Sequence, residues 1–293
     1  MENLTDEKIK ELAIKANDIR MSIIEMLLEA KSGHTAGPLG MADIFTLLYF
    51  HKLKHNPKKP ELEERDRVVL SNGHIAPVLY ATMAHAGYMP MEELLTLRKF
   101  GGRLQGHPHR AFMPWLENSS GPLGSGLSQA VGMALADRIN NGVGTDRTIY
   151  ALLSDGEHDE GNTWEGILLA GKEKLRNLIA IVDRNNIQID GYTENVLPLG
   201  DLVKKYEQFG WHAQEIDGHN FEEINNAINL AKAVYDKPSV IIARTIPGRG
   251  VSMFERDYKW HGYAPNGKEA ILDYKQALHE LRTLGGKIRS EHQ

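Results

Sequence analysis

The sequence predicts an α/β fold, a doubly wound and mostly parallel sheet flanked by helices, and three observations carry that expectation. Residues 148–153 and 178–182 are apolar runs with the character of buried strands. Between them 161–175 reads as a helix, with Trp164, Ile167, Leu168 and Leu175 near helical spacing. Each run ends in polar residues, Asp155-Gly156 after the first and Asp183-Arg184-Asn185-Asn186 after the second. Strand and helix patterns alternate on either side without an internal repeat, which predicts one domain over residues 1–293.

In open parallel sheets ligands bind at the carboxyl ends of the strands, so Asp155 and Asn185 are expected at neighbouring strand ends. An Asp carboxylate, an Asn amide oxygen and a backbone carbonyl are hard oxygen donors, and Mg²⁺ completes such a set with substrate phosphates and water. The glycine after Asp155 lets a diphosphate approach the backbone closely. Taken alone, the same residues also read as an Asp-Gly turn and an Asn-Asn loop.

From the N-terminus, 4–30 reads as a long amphipathic helix capped by Thr5 or Asp6, with a break expected near Asn17. A Gly/Pro-punctuated loop, KSGHTAGPLG over 31–40, leads into a second helix over 41–51. After a polar connector, 66–74 reads as a short strand ending in a tight turn at His74, followed by a helix over 76–87. A histidine between a strand end and a helix start is placed to meet an anion, or to be solvated. Residues 101–108 form another glycine-flanked loop around His107, with His109 and Arg110 solvated. The glycine loop 119–126 opens a helix rich in small residues over 127–140.

Beyond the central unit, 199–209 reads as a helix and 212–216 as a strand. Asn220 with Glu223 starts a helix ending near Val234, and 238–244 is a β-branched strand. His212 and His219 are expected to be structural or solvated. The stretch 245–263 is a long irregular loop holding Trp260 and His261, and such loops are functional or disordered. The tail, 268–293, reads as a polar helix with a frayed end.

Composition narrows the function classes. Hydrophobic residues make up 41% and charged residues 25% of the 293, ordinary values for a globular chain. A net charge of −5 leaves no electrostatic footprint for nucleic acid. The absence of cysteine excludes disulfides, thiolate nucleophiles and zinc–thiolate sites. The N-terminus lacks the apolar core of a signal peptide and no run approaches membrane length, so a cytoplasmic protein without membrane partners is expected.

These motifs together resemble the diphosphate–metal signature of thiamine-diphosphate enzymes, Gly-Asp-Gly followed about thirty residues later by Asn, as Asp155 precedes Asn185 here. More closely the chain resembles transketolase, since Glu160-Gly161, Asn177-Leu178-Ile179 and residues 187–191 also match, with Ser154 replacing the first glycine. The resemblance implies that Asp155, the Asn185 side chain and the Ile187 carbonyl hold Mg²⁺, or Ca²⁺ or Mn²⁺, on the diphosphate of thiamine diphosphate. It implies that His74, Gly121, Pro122, Leu123, Gly124, Gly156, Glu157, Asn185 and His261 contact the cofactor, and that His34, His107 and His261 act on the substrate. Thr35-Ala36 replaces the Pro-Gly more common between Ser-Gly-His and Pro-Leu-Gly.

The resemblance covers about residues 10–270, the first half of a full-length transketolase. In that family the Glu that promotes proton removal through the cofactor's aminopyrimidine lies in the second, pyrimidine-binding domain, which nothing after Gly191 reproduces. The expectation is therefore the N-terminal subunit of a split transketolase. It would move a two-carbon ketol unit from a ketose phosphate, such as xylulose 5-phosphate, to an aldose phosphate. A C-terminal subunit would supply the Glu in a heterotetramer containing two of each subunit, and this chain alone would form a homodimer, with Glu160 near the subunit interface or simply an exposed helix-start carboxylate. Open alternatives are another thiamine-diphosphate enzyme, a transketolase for a sulfonated or branched sugar, and a non-catalytic cofactor-binding paralogue.

Overall fold

The computed structural model describes residues 4–142 and 144–290. The chain opens with α1 (Asp6–Ala30), capped by Thr5, whose side chain accepts from the Lys8 N–H. The expected break at Asn17 is absent. Asn17 is buried in an unbroken helix, and its Nδ2 donates to the Leu281 carbonyl at 3.0 Å.

Helix α2 (Ala36–Leu47) starts inside the stretch expected to be a loop. Pro38 falls in its first turn, where no N–H is needed, so the proline does not oppose the helix. A π-helical turn (Leu48–Lys52) ends it, and the connector leads to β1 (Arg67–Leu70). A short 3-10 turn (Gly73–Ile75) carries His74 into α3 (Ala76–His85). Then come α4 (Ser125–Asn141), β2 (Ile149–Ser154), a 3-10 turn (Gly156–Asp159), α5 (Gly161–Glu173) and β3 (Leu178–Arg184). A small antiparallel hairpin, β4 (Ile187–Gln188) with β5 (Gly191–Tyr192), was not expected from the sequence, and α6 (Thr193–Val196) follows it.

The rest comprises α7 (Leu202–Gln208), β6 (His212–Asp217), α8 (Phe221–Ala233), β7 (Ser239–Arg244) and α9 (Lys268–Ser290). The main sheet is five-stranded and parallel in the order β1-β2-β3-β7-β6, so the doubly wound expectation holds. The chain steps outward from β1 to β3, jumps to the β6 edge, and returns through β7. All five carboxyl ends therefore share one rim.

Alternate strand residues point to opposite faces, and each face has its own core. Tyr150, Leu152, Ile179, Ile181 and Ile241 pack under α1, α2, α3, α8 and α9 with Ile23, Phe45 and Tyr80. Val69, Ala151, Leu153, Ala180, Val182 and Ile242 pack under α4, α5 and α7 with Leu127, Ile167, Tyr206 and Trp211. Leu168, grouped with Ile167 by spacing, is exposed instead, as are its neighbour Leu169 and Ile139 on α4. Among the described residues no helix is long and apolar enough to cross a membrane.

Candidate active site

The rim collects the side chains that the sequence scattered over more than two hundred positions. The β2–β3 register pairs Ser154 with Asp183, and the Asp155 N–H donates to the Asp183 carbonyl at 3.0 Å. Asp155 and Asn185 thus leave the sheet side by side. Between them and the loops around them lies a cavity of about 290 Å³ lined by His34, His74, His107, Gly121, Leu123, Ser154, Gly156, Glu157, Asn185, Ile187, Gln188, Ile189, Asp190 and His261. A wider cleft of about 850 Å³, lined by Arg98, Phe100, Gly106 and Phe112 among others, opens on the other side of His107. The concentration of titratable groups marks the smaller cavity as the chemical one.

Three imidazoles form its floor. His34 and His74 have ring centroids 5.0 Å apart, His74 and His261 5.2 Å, and His34 and His261 5.4 Å. Thr35 joins two of their loops: its N–H donates to the His261 carbonyl at 3.4 Å and its hydroxyl to the Tyr263 carbonyl at 3.0 Å. The long loop 245–263 is ordered, because Trp260 packs 4.2 Å from Phe254 and 4.8 Å from Tyr263. His107 sits exposed at the cavity's rim beside the Gly73 turn, where a Cβ on Gly73 would come within 2.4 Å of Ser120 and 3.2 Å of the His107 ring.

Burial holds these rings neutral. It lowers His34 to about 3, aided by His261, Arg98 and His107, and lowers His261 to about 4. It holds His74 well below 6.5, aided by His261, His34 and His107, and lowers His107, aided by Arg98. Each neutral imidazole offers one donor and one acceptor at physiological pH. The Nδ1 atoms of His34 and His261 are buried without a protein hydrogen-bond partner, as befits atoms that meet a polar ligand.

On the opposite wall, Asp155 is fully buried behind the cavity. Its Oδ1 accepts from Gly156 N–H at 2.7 Å and its Oδ2 from Asn186 N–H at 2.6 Å and Arg184 Nη1 at 3.0 Å. Burial raises its pKa, opposed by Arg184 and the two N–H donors. Asn186 reaches it by adopting φ +60°, a left-handed conformation that Asn tolerates. Asn185 accepts from Ile187 N–H at 3.0 Å and donates to Asp183 at 2.7 Å, which orients its amide oxygen beside the Ile187 segment. A carboxylate, an amide oxygen and a carbonyl are a donor set that fits a small hard cation. Among the described residues no group of three or more His, Cys, Asp or Glu could hold a metal on its own.

The glycine loop is fastened from below. Glu157 is fully buried and accepts from Gly124 N–H at 2.5 Å, Ser154 N–H at 3.1 Å and the Ser71 hydroxyl. Burial raises its pKa despite these donors. Gly124 takes φ +79°, and a Cβ there would collide with Asn162 at 1.8 Å, so only glycine fits. Both Glu157 oxygens face protein donors, which makes this side chain the anchor of the loop. Gly124 is buried with it, while Pro122 is exposed, and neither lines the cavity.

Sequence reasoning missed Gln188, Ile189 and Asp190, which line the cavity from the β4–β5 hairpin, and Arg184 with its second partner Glu194. It also missed His158, whose Nδ1 donates to the Ser154 carbonyl at 2.9 Å and whose Nε2 accepts from the Tyr206 hydroxyl at 2.8 Å. The polar run 183–186 was the only available signal for Arg184. His219 lies away from the cavity, buried between Asp43 at 2.7 Å and the Ile246 N–H at 2.7 Å. Glu160 is exposed at the start of α5 and makes no side-chain cap.

Comparison with known proteins agrees with this geometry. Residues 11–281 match the model of the transketolase, thiamine diphosphate binding domain. The chain is 42% identical over 275 residues to the 6-deoxy-6-sulfo-D-fructose transketolase subunit SqwG of Clostridium sp. (strain MSTE9), covering 94% of this chain and 98% of that one. It is 35% identical over 285 residues to one of the subunits of apulose-4-phosphate transketolase from Phocaeicola vulgatus, covering 97% and 99%. The transketolase structure from Leishmania mexicana superposes with a TM-score of 0.82 at 32% identity, over 99% of this chain and 46% of that one. The chain belongs to the transketolase family and constitutes its N-terminal, thiamine diphosphate-binding part.

Proposed function

We propose that this chain is the diphosphate- and metal-holding subunit of a two-chain transketolase that moves a two-carbon ketol unit from a ketose phosphate to an aldose phosphate. The observation that carries the reading is the convergence of His34, His74, His107 and His261 on one cavity with Asn185 and Ile187, at the carboxyl ends of β2 and β3. Asp155, Asn185 and the Ile187 carbonyl would hold Mg²⁺, and His74 with the Gly121–Gly124 loop would meet the diphosphate. When bound, thiamine diphosphate supplies the electron sink that ketol transfer requires.

The chain's own contribution is orientation and proton handling. His34, His107 and His261, neutral at physiological pH, donate to the donor sugar's hydroxyls from one ring nitrogen and take up a proton on the other. The cavity floor excludes water on the β-sheet side. Its open side suits a partner chain bearing the pyrimidine-binding domain and its Glu, and Leu168, Leu169 and Ile139, exposed on α5 and α4, offer that partner apolar surface. Two relatives matched over nearly their whole length are named as transketolase subunits, which supports a split enzyme.

Those same relatives are named for 6-deoxy-6-sulfo-D-fructose and for apulose 4-phosphate, so a modified sugar is the second reading. The test is ketol transfer with thiamine diphosphate and Mg²⁺, by this chain alone and mixed with a pyrimidine-binding partner. Donors would be xylulose 5-phosphate and 6-deoxy-6-sulfofructose. Transfer only in the mixture supports the split enzyme, and the better donor chooses between the readings. Transfer by this chain alone contradicts it.

A further inference from the structure

Asp155 is the sole carboxylate in the proposed cation-holding set, and its charge is already compensated from within the protein. Arg184, the last residue of β3, has a side chain only 10% exposed and places Nη1 3.0 Å from Asp155 Oδ2. The other arm of the same guanidinium pairs with Glu194, whose side chain is 36% exposed. Glu194 is held in place by its own backbone N–H, which donates to Asn186 Oδ1 at 3.2 Å. Its carboxylate also accepts from Leu199 N–H at 3.3 Å and Gly200 N–H at 3.4 Å. The arginine therefore bridges a fully buried carboxylate on the cavity side and a half-exposed one on the solvent side.

We propose that Arg184 is an internal competitor for the divalent cation: its guanidinium keeps cation affinity low until a diphosphate adds its charge, and Glu194 retains the guanidinium when the cation takes Asp155. This inference rests on the proposed metal role of Asp155. Two positive charges within a few ångströms repel most strongly where water is excluded, and Asp155 is buried. The cofactor's diphosphate brings further anionic oxygens, which restore the balance in favour of the cation. Loading thereby becomes ordered, with the cation following the diphosphate or arriving with it.

The experiment uses Mn²⁺ as the probe, followed by electron paramagnetic resonance, on the full chain with its partner present, with and without thiamine diphosphate. Wild-type protein is expected to bind Mn²⁺ only weakly without the cofactor. Arg184→Gln is expected to tighten binding roughly tenfold in both conditions, the scale on which a charge within about 4–6 Å shifts an ionic equilibrium. Arg184→Lys, which keeps the charge, should stay near wild type, and Glu194→Gln should weaken binding by leaving the guanidinium to Asp155 alone. Unfolding cannot mimic the gain in Arg184→Gln. If that variant does not fold, weakening in a folded Glu194→Gln still supports the proposal, and unchanged affinity there overturns it. Unchanged or weaker binding in a folded Arg184→Gln, or equal tightening in Arg184→Lys, overturns the competitor role and leaves the metal site standing. Wild-type protein that binds no Mn²⁺ even with thiamine diphosphate overturns the metal assignment and this inference together.

Discussion

The Asp155 N–H donates to the Asp183 carbonyl at 3.0 Å, one residue past Ser154, whose pairing with Asp183 is the last between β2 and β3. This bond fixes the loop carrying Asp155 to β3, the strand that Asn185 directly follows, so the proposed ligands share a rigid base. Asp155→Ala is expected to lower Mg²⁺-dependent affinity for thiamine diphosphate at least about tenfold, because it removes the cation's only charged ligand and leaves Arg184 to repel it. Calorimetric titration of the cofactor, with and without Mg²⁺, checks this. Affinity equal to wild type sinks the metal assignment.

Arg98 ties two of the histidine loops together. Its Nη1 donates to the Ser32 hydroxyl at 2.8 Å, beside His34, and its guanidinium lies where a Cβ on Gly106, beside His107, would come within 2.8 Å. Gly106→Ala should push the guanidinium away and slow turnover of the assembled enzyme by about tenfold to a hundredfold, with thermal stability little changed. Steady-state kinetics beside a melting curve separate the two effects.

The depressed imidazoles make stability pH-dependent with a definite sign. In the unfolded chain these histidines take up protons as the pH falls through 6.5, whereas the folded chain holds His34 neutral to about 3 and His261 to about 4. The unfolded state therefore binds more protons in that window, and folding stability is full above it and lost as the pH falls. Urea unfolding between pH 7.5 and 5 should show this loss. His74→Asn should reduce the slope by up to about 1.4 kcal/mol per pH unit below the ordinary histidine range. A slope unchanged in the variant contradicts a neutral His74.

His158 and Tyr206 are buried partners that hold the turn after Asp155. Burial lowers His158 to about 4, so its Nδ1–H donates to the Ser154 carbonyl and its Nε2 needs the Tyr206 hydroxyl. Tyr206→Phe should cost about 1–3 kcal/mol by leaving that nitrogen unpaired in the core. Denaturant titration measures it, and a loss within error would mean that water replaces the hydroxyl.

What the sequence made legible was local pattern combined with the strand-end rule. The apolar runs of β2 and β3 and the polar residues after them predicted that Asp155 and Asn185 would stand at neighbouring strand ends, and they do. The Gly-His loops announced His34, His74 and His107 because glycine and histidine together stand out in any loop. What stayed hidden depends on partners far along the chain. Asn17 looks like a helix breaker until Leu281 accepts its amide hydrogen, and Pro38 looks like loop punctuation until it falls in a first turn. The β4–β5 hairpin is too short to show a period, and no pattern links Arg184 to both Asp155 and Glu194.

The central claim is that the four-histidine cavity holds the cofactor's diphosphate, and comparing thiamine diphosphate with thiamine tests it most directly. In the presence of Mg²⁺ and the partner chain, calorimetry should show thiamine diphosphate binding and thiamine binding at least about a hundredfold more weakly, since thiamine lacks the anionic group that the cation and His74 would meet. His74→Ala and Asn185→Ala should each narrow that gap. Equal affinity for the two compounds, or a gap untouched by both substitutions, would contradict the account.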